Sequence, residues 1–262
     1  MRTNENRRYM KKLKVLIFTL LILVGIPGIA QTIEKEVGLP EFTRIKLMGS
    51  PELHFEQSDE MQSIKIVGPE EELDRIETYV DGDTFVIKVN NRDIALLNSD
   101  SDVKIYVTAP FVHHFSVFGS GEIQIRNTIK SVKPISLSVS GSGNIEAADL
   151  ISDKMKLDVI GVGDVKVEKA ETTSLEVQVS GSGLIKLAGT TKDVIYSIIG
   201  SGKIEGLKMQ AKNVNTKISG SGNIFCTAES NLGGVVKGGG IVRYKGKPNV
   251  QTKTPKSFRK AK

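Results

Sequence analysis

The chain has 262 residues with 39% hydrophobic content, 26 glycines and no tryptophan, a composition that excludes a disordered or wholly membrane-embedded protein. Its formal charge of +6 is unevenly placed: residues 1–30 hold six Lys/Arg and one Glu, residues 245–262 hold seven Lys/Arg and no acid, and residues 31–244 hold 23 bases against 29 acids, a net −6. Cys226 is the only cysteine, so no internal disulfide can hold the fold and packing must do so.

The opening MRTNENRRYMKKLKVLIFTLLILVGIPGIAQ has a basic start, an apolar run from Val15 to Ile26, and small residues at Gly28 and Ala30. This is the layout of a secretory signal peptide over residues 1–30, with cleavage after Ala30. The run falls short of the roughly 20 apolar residues of a spanning helix and contains Gly25 and Pro27. No cysteine stands directly after it, which argues against a lipid anchor. The expectation is an exported protein of the periplasm, the outer-membrane surface or the extracellular space.

Residues 31–111 read as an N-terminal β region. IKLMGSPELHF places Ile45, Leu47, Leu53 and Phe55 at alternating positions around Gly49, with Pro51 where later copies have a second glycine. We read it as a degenerate copy that caps the array described below. SIKIV, TYVDGDTFVIKV with a hairpin-like Asp81-Gly82-Asp83 turn, and DVKIYVTA follow as strands, and EEELDR at 70–75 as one helical turn. NSDSD at 98–102 alternates oxygen ligands like the start of a calcium loop. It lacks the glycine and distal glutamate of that loop, which leaves a polar turn. His113 and His114 are adjacent on a predicted strand, face opposite sides and cannot chelate one ion; His54 stands alone.

From residue 112 to 244 one tripeptide recurs: Gly119-Ser120-Gly121, Gly141-Ser142-Gly143, Gly161-Val162-Gly163, Gly181-Ser182-Gly183, Gly200-Ser201-Gly202, Gly220-Ser221-Gly222 and Gly238-Gly239-Gly240. A nucleotide-binding loop occurs once, whereas a period near 20 residues is the mark of stacked structural repeats. Two residues before the first glycine of each copy stand Val117, Val139, Val159, Val179, Ile198, Ile218 and Val236. Four residues after it stand Ile123, Ile145, Val165, Ile185, Ile204, Ile224 and Val242. Apolar positions at even offsets are the period of strands with one buried face. Both glycines share that phase, so both are expected on the buried face as corners, with the serine between them pointing outward. Cys226 falls in a buried column and reads as core. Stacking should also bring Glu146 beside Lys166, and Lys186 beside Glu205. The predicted fold is all-β, a right-handed parallel β-helix or β-solenoid of about 20 residues per repeat. An antiparallel meander with hairpin turns at the glycines is disfavoured, because the inward phase runs unbroken through them. Residues 245–262 are expected to be a basic, disordered tail.

FTRIKLMGSPELHFEQ, then SDVKIYVTAPFVHHFSVFGSGEI, then repeated SGSGNI together resemble the GIN-domain (head domain) family of auto-transporter adhesins. The resemblance spans about residues 38–244. It implies an exported all-β protein with a β-helix-like repeat fold and a surface or adhesion role, and supplies no catalytic residues. Nothing after residue 244 looks like a membrane barrel, so self-transport is not implied for this chain.

Polysaccharide-degrading β-helices need clustered carboxylates, whereas Glu122, Glu146, Asp164 and Glu205 sit in columns mixed with Lys166, Lys186 and Lys203. No enzyme activity, cofactor or metal is expected. The reading is a non-enzymatic binding protein whose outward residues Ser142, Asn144, Ser182, Ser201, Ser221 and Asn223 offer a polar ladder to a glycan or a host or matrix protein. A periplasmic structural scaffold is the alternative. Export argues against nucleic acid, while the basic tail could meet an anionic surface.

Overall fold

The computed structural model describes residues 32–89 and 103–261. The expected signal peptide and the acidic turn at 98–102 lie outside the described residues. In chain order the first elements are β1 (Thr32–Glu36), β2 (Arg44–Gly49), β3 (Glu52–Gln57), β4 (Ser63–Pro69), α1 (Glu70–Leu73), β5 (Ile76–Asp81), β6 (Thr84–Val89) and β7 (Lys104–Ala109). The glycine array supplies β8 (His114–Gly119), β9 (Glu122–Ile125), β10 (Ile129–Lys130), β11 (Ile135–Gly141), β12 (Asn144–Ile151), β13 (Lys154–Gly161) and β14 (Asp164–Gly181). It continues through β15 (Leu184–Gly200), β16 (Lys203–Gly220), β17 (Asn223–Lys237) and β18 (Ile241–Lys245), and β19 (Asn249–Thr252) and β20 (Phe258–Lys260) follow.

Each repeat runs as a strand into a glycine corner, turns, and leaves as a second strand. The array thus winds as a β-solenoid of about seven turns, roughly 20 residues apart. Strands before the corners form one sheet, here the leading sheet, and strands after them form the facing trailing sheet. Successive coils pair in parallel and in register, so Val117 lies against Val139, Val139 against Val159, and Val159 against Val179. These valines and their successors Ile198 and Ile218 are fully buried. Stacked β-branched side chains fill a pleated surface well and, with Ile123, Ile145, Val165 and Ile185 opposite, form one continuous core. Cys226 is part of it, fully buried.

The two glycines of each corner do different work, which corrects the expectation that both lie on the buried face. Gly141 is exposed at the bend with φ +126°, a conformation that favours glycine. Gly143 is the buried one: a Cβ there would collide with the Gly121 carbonyl and lie 2.6 Å from Val117 Cγ1. The phase of the core passes through the second glycine only, because the positive φ of the first turns the chain.

A second corner, on the opposite edge, has no tripeptide. Hydroxyls hold it: Ser152 Oγ donates to the Lys133 carbonyl (2.9 Å), Thr172 Oγ1 to that of Asp153 (3.1 Å) and Thr191 Oγ1 to that of Thr173 (3.3 Å). Each bond ties one coil to the coil before it.

Both ends depart from expectation. The Gly49 copy does not cap the stack: β2 pairs with β8 on one side and β6 on the other, and β3 pairs with β9 and β7. After β3 the chain runs outward through β4 and β5 and returns as β6 and β7, outside the first coil. The cap is formed by antiparallel strands, β4 on β7, β1 on β4 and β5 on β6. The basic tail is not disordered. β19 pairs with β17 and β20 with β18, setting Val250 on Leu232 and Phe258 on Val242. This last coil turns through Thr254, Pro255 and Lys256 without a glycine, so the repeat signal is lost while the alternation survives.

Candidate binding surfaces

The glycine corners stack into a narrow edge along the solenoid. Ser142, Ser182, Ser201 and Ser221 are all exposed on it, and Asn144 and Asn223 are half-buried two residues further on. The fold therefore gathers these six residues on one edge. The serine column is broken by Val162, which is 63% exposed, and by Gly239. At most corners the amides are engaged within the stack and not offered to an anion. The N–H groups of Ser142 and Gly143 both donate to the Gly119 carbonyl (2.9 and 2.8 Å), and that of Asn144 donates to the Gly121 carbonyl (3.0 Å). The same pattern recurs at Val162, Gly163 and Asp164 and at Ser182, Gly183 and Leu184.

Next to this edge, the outer face of the leading sheet carries a pattern that sequence reasoning missed. Immediately before the corner glycines, Phe118, Ser140, Ile160, Ser180, Ile199 and Ser219 stand in register along the stack. Phe118, Ile160 and Ile199 are 40–54% exposed. The strand spacing places successive apolar members about 10 Å apart, with a serine between each pair. Lys46 Nζ lies 4.6 Å from the Phe118 ring centroid. Beside Ile160, one Asp158 carboxylate oxygen is buried without a hydrogen-bond partner, and burial raises the pKa of that carboxyl. An alternation of apolar and small polar residues on an outward column was visible in the sequence.

The outer face of the trailing sheet is charged. Glu146 pairs with Lys166 at 3.6 Å as the stacking predicts, but Glu205 pairs with Lys203 on its own strand although Lys186 is its register neighbour. Bulges between Val167 and Ala170 and between Lys186 and Ala188 open a groove of about 590 Å³. Leu187, Leu207 and Phe225 line it together with the charged residues Lys166, Glu168, Lys186, Glu205 and Lys208.

At the N-terminal end the same face holds a histidine cluster. His54 is buried, stacked on Tyr106 with ring centroids 4.9 Å apart. Arg126 Nε donates to its Nδ1 at 3.1 Å, which places the imidazole proton on Nε2. Nε2 lies 3.1 Å from Glu52 Oε1, off the line of a good hydrogen bond. Burial lowers the His54 pKa, and the Glu52 carboxylate opposes that shift. His54 is thus a neutral, structural imidazole and not the isolated residue its sequence position implies. Among the described residues no group of three or more His, Cys, Asp or Glu is arranged to hold a metal ion, and no helix is long and apolar enough to cross a membrane.

Solved structures with the same fold exist. A protein described as a putative lipid binding protein from Parabacteroides distasonis is 24% identical, with a TM-score of 0.80 over 88% of this chain and 97% of that one. A putative adhesin from Parabacteroides merdae is 22% identical, TM-score 0.80, over 88% and 96%. A putative adhesin from Bacteroides fragilis is 24% identical, TM-score 0.64, over 90% and 96%. No curated protein matches the chain. The sequence pattern of one family spans residues 41–248, which take in β2 to β7 and the whole glycine array, and by it the chain belongs to the family described as putative auto-transporter adhesin, head GIN domain.

Proposed function

We propose that the protein is an exported, non-catalytic adhesin, working at the cell surface or in the periplasm, that holds a glycan or protein on the serine edge and the adjoining leading sheet. The observation that supports this reading is the outward column Phe118, Ser140, Ile160, Ser180, Ile199, Ser219, which continues the edge as a regularly spaced surface. Exposed apolar side chains beside hydroxyls suit the faces of sugar rings or an extended peptide, and a surface repeated coil by coil suits a polymer better than a small molecule. Family membership and the adhesin descriptions of its structural relatives agree with this. The lipid-binding description of one relative makes an amphiphile the competing ligand.

The test is a panel of glycans, matrix proteins and lipid vesicles probed with the purified protein and with a variant carrying Ser142→Tyr, Ser182→Tyr and Ser221→Tyr. Saturable glycan or protein binding, lost in a variant that melts like wild type, supports the proposal. Undiminished binding in the variant removes recognition from this edge. Binding to vesicles alone favours the amphiphile, and no binding at all leaves a structural scaffold.

A further inference from the structure

Among the described residues, the solenoid ends at both sides in strands with one partner each, and the two ends are oppositely charged. At the N-terminal end, among the described residues, β1 has a strand partner on one edge only, β4, and β5 likewise has only β6. α1 joins β4 to β5 at this end, with Leu73 buried beneath it. Residues 70–83 contain Glu70, Glu71, Glu72, Asp74, Glu77, Asp81 and Asp83 against a single Arg75, a net −6. At the other end, among the described residues, β19 and β20 are the outermost strands, paired only with β17 and β18. Residues 245–262 contain seven Lys/Arg and no acid.

Charge at the edge of a sheet ordinarily guards against pairing with another sheet. That guard works only between ends of the same sign. Here it opposes contact between two N-terminal ends or two C-terminal ends, and favours contact between unlike ends. Both ends also present apolar surface to a partner. Val250 is 36% exposed on β19 and Phe258 is half-buried on β20. At the cap, Val37, Leu73 and Ile76 line a groove of about 220 Å³ between Lys35 and Glu77.

We infer that the protein associates with a second copy of itself head to tail, the basic last coil of one molecule seated on the acidic cap of the next. With the sheets continued across the contact, β19 meets β5 and β20 meets β1, so backbone groups unpaired at both ends are paired. The contact joins unlike surfaces and does not close on itself, so it extends into short linear chains. It does not depend on what the serine edge binds. Because its long-range attraction is between exposed charges, salt screens it.

Sedimentation velocity on the purified exported protein, residues 31–262, tests this, over a range of protein concentration at about 20 mM and about 500 mM salt. The expected result is mass that rises with concentration at low salt and falls to monomer at high salt. One variant reverses the cap (Glu70, Glu71, Asp74 and Glu77→Lys) and another the last coil (Lys253, Lys256, Arg259 and Lys260→Glu). Each alone should remain monomeric while melting like wild type, and an equimolar mixture should associate again. Wild type that stays monomeric at low salt, or association that survives either reversal, overturns the inference. So does capture of a strictly monomeric wild type by anionic vesicles, which would assign the basic end to a surface.

Discussion

The hydroxyl of Tyr196, in the leading sheet, ends where a side chain at residue 206 of the trailing sheet would begin: a Cβ built on Gly206 lies 2.8 Å from it. The two residues share one volume of core, and glycine at 206 is what lets tyrosine fit. The hydroxyl gains no bond from this position, being buried without a hydrogen-bond partner. Gly206→Ala should cost about 1–3 kcal/mol by overpacking. Tyr196→Phe should be neutral or stabilising by about 1 kcal/mol, since it removes a desolvated hydroxyl. In the Tyr196→Phe background Gly206→Ala should cost about 1 kcal/mol less, because the colliding atom is gone. Denaturant midpoints of the four proteins check this, and strict additivity would show that the two sites are not coupled.

The corner glycines are separable by substitution. Gly143→Ala meets the Gly121 carbonyl, a backbone atom that cannot rotate away, and should cost about 3 kcal/mol or more. Thinning the neighbouring side chain with Val117→Ala should not rescue it. Gly239→Ala is the control, since its Cβ meets nothing nearer than Ser221 Oγ at 3.6 Å. It should change stability by no more than about 0.5 kcal/mol in either direction. Equal losses at 143 and 239 would mean that flexibility of the corner, and not room for the preceding coil, selects glycine.

How far the sequence reveals this fold follows from what repetition records. The columns headed by Val117 and Ile123 repeat with every coil, so parallel stacking, register and the burial of Cys226 could be read from spacing alone. Spatial order is not recorded in that way. The Gly49 copy carries the same alternation whether it lies at the end of the stack or inside it, and only the path through β4–β7 places it inside. The last coil is hidden for a related reason: Thr254, Pro255 and Lys256 turn the chain without the glycines that mark the same corner of the earlier coils. Surface function is fainter still. A column such as Phe118, Ser140 and Ile160 has no packing partner to constrain it, so its alternation appears only when the coils are aligned.

The His54 cluster sets a pH dependence. Burial holds the folded-state pKa of His54 below the ordinary histidine value. Between that lowered value and about 6.5 the unfolded chain binds more protons than the folded one, so stability is full above about pH 6.5 and is lost as pH falls through the folded pKa. Protonation would also place an N–H on Nδ1, facing the Arg126 donor. His114, lowered by burial, acts in the same direction; Asp158, raised by burial, acts in the opposite one. Comparison with His54→Gln isolates the His54 share. Between pH 7.5 and 5.5 the variant should lose less stability than wild type, and parallel losses would assign the acid sensitivity to other groups.

Cys226 reports on the integrity of the C-terminal coils, because it is the only thiol and burial raises its pKa to about 12. A thiol that is neither exposed nor ionised does not alkylate, so labelling of the native protein should proceed only through local opening. In the stack Cys226 lies against Tyr244, which lies against Lys260 of the last coil. Ending the chain at residue 244 removes Val250 and Phe258 from above Leu232 and Val242, a loss of about 2–4 kcal/mol from two partly buried side chains. In a solenoid that loss falls on the neighbouring coil first. The truncated protein should therefore label at Cys226 many times faster than wild type under native conditions, before any change in its global melting is large. Reversing the charges of the last coil while keeping its strands should leave the labelling rate unchanged. A truncated chain that labels as slowly as wild type would mean that β19 and β20 add no protection to the coils beneath them.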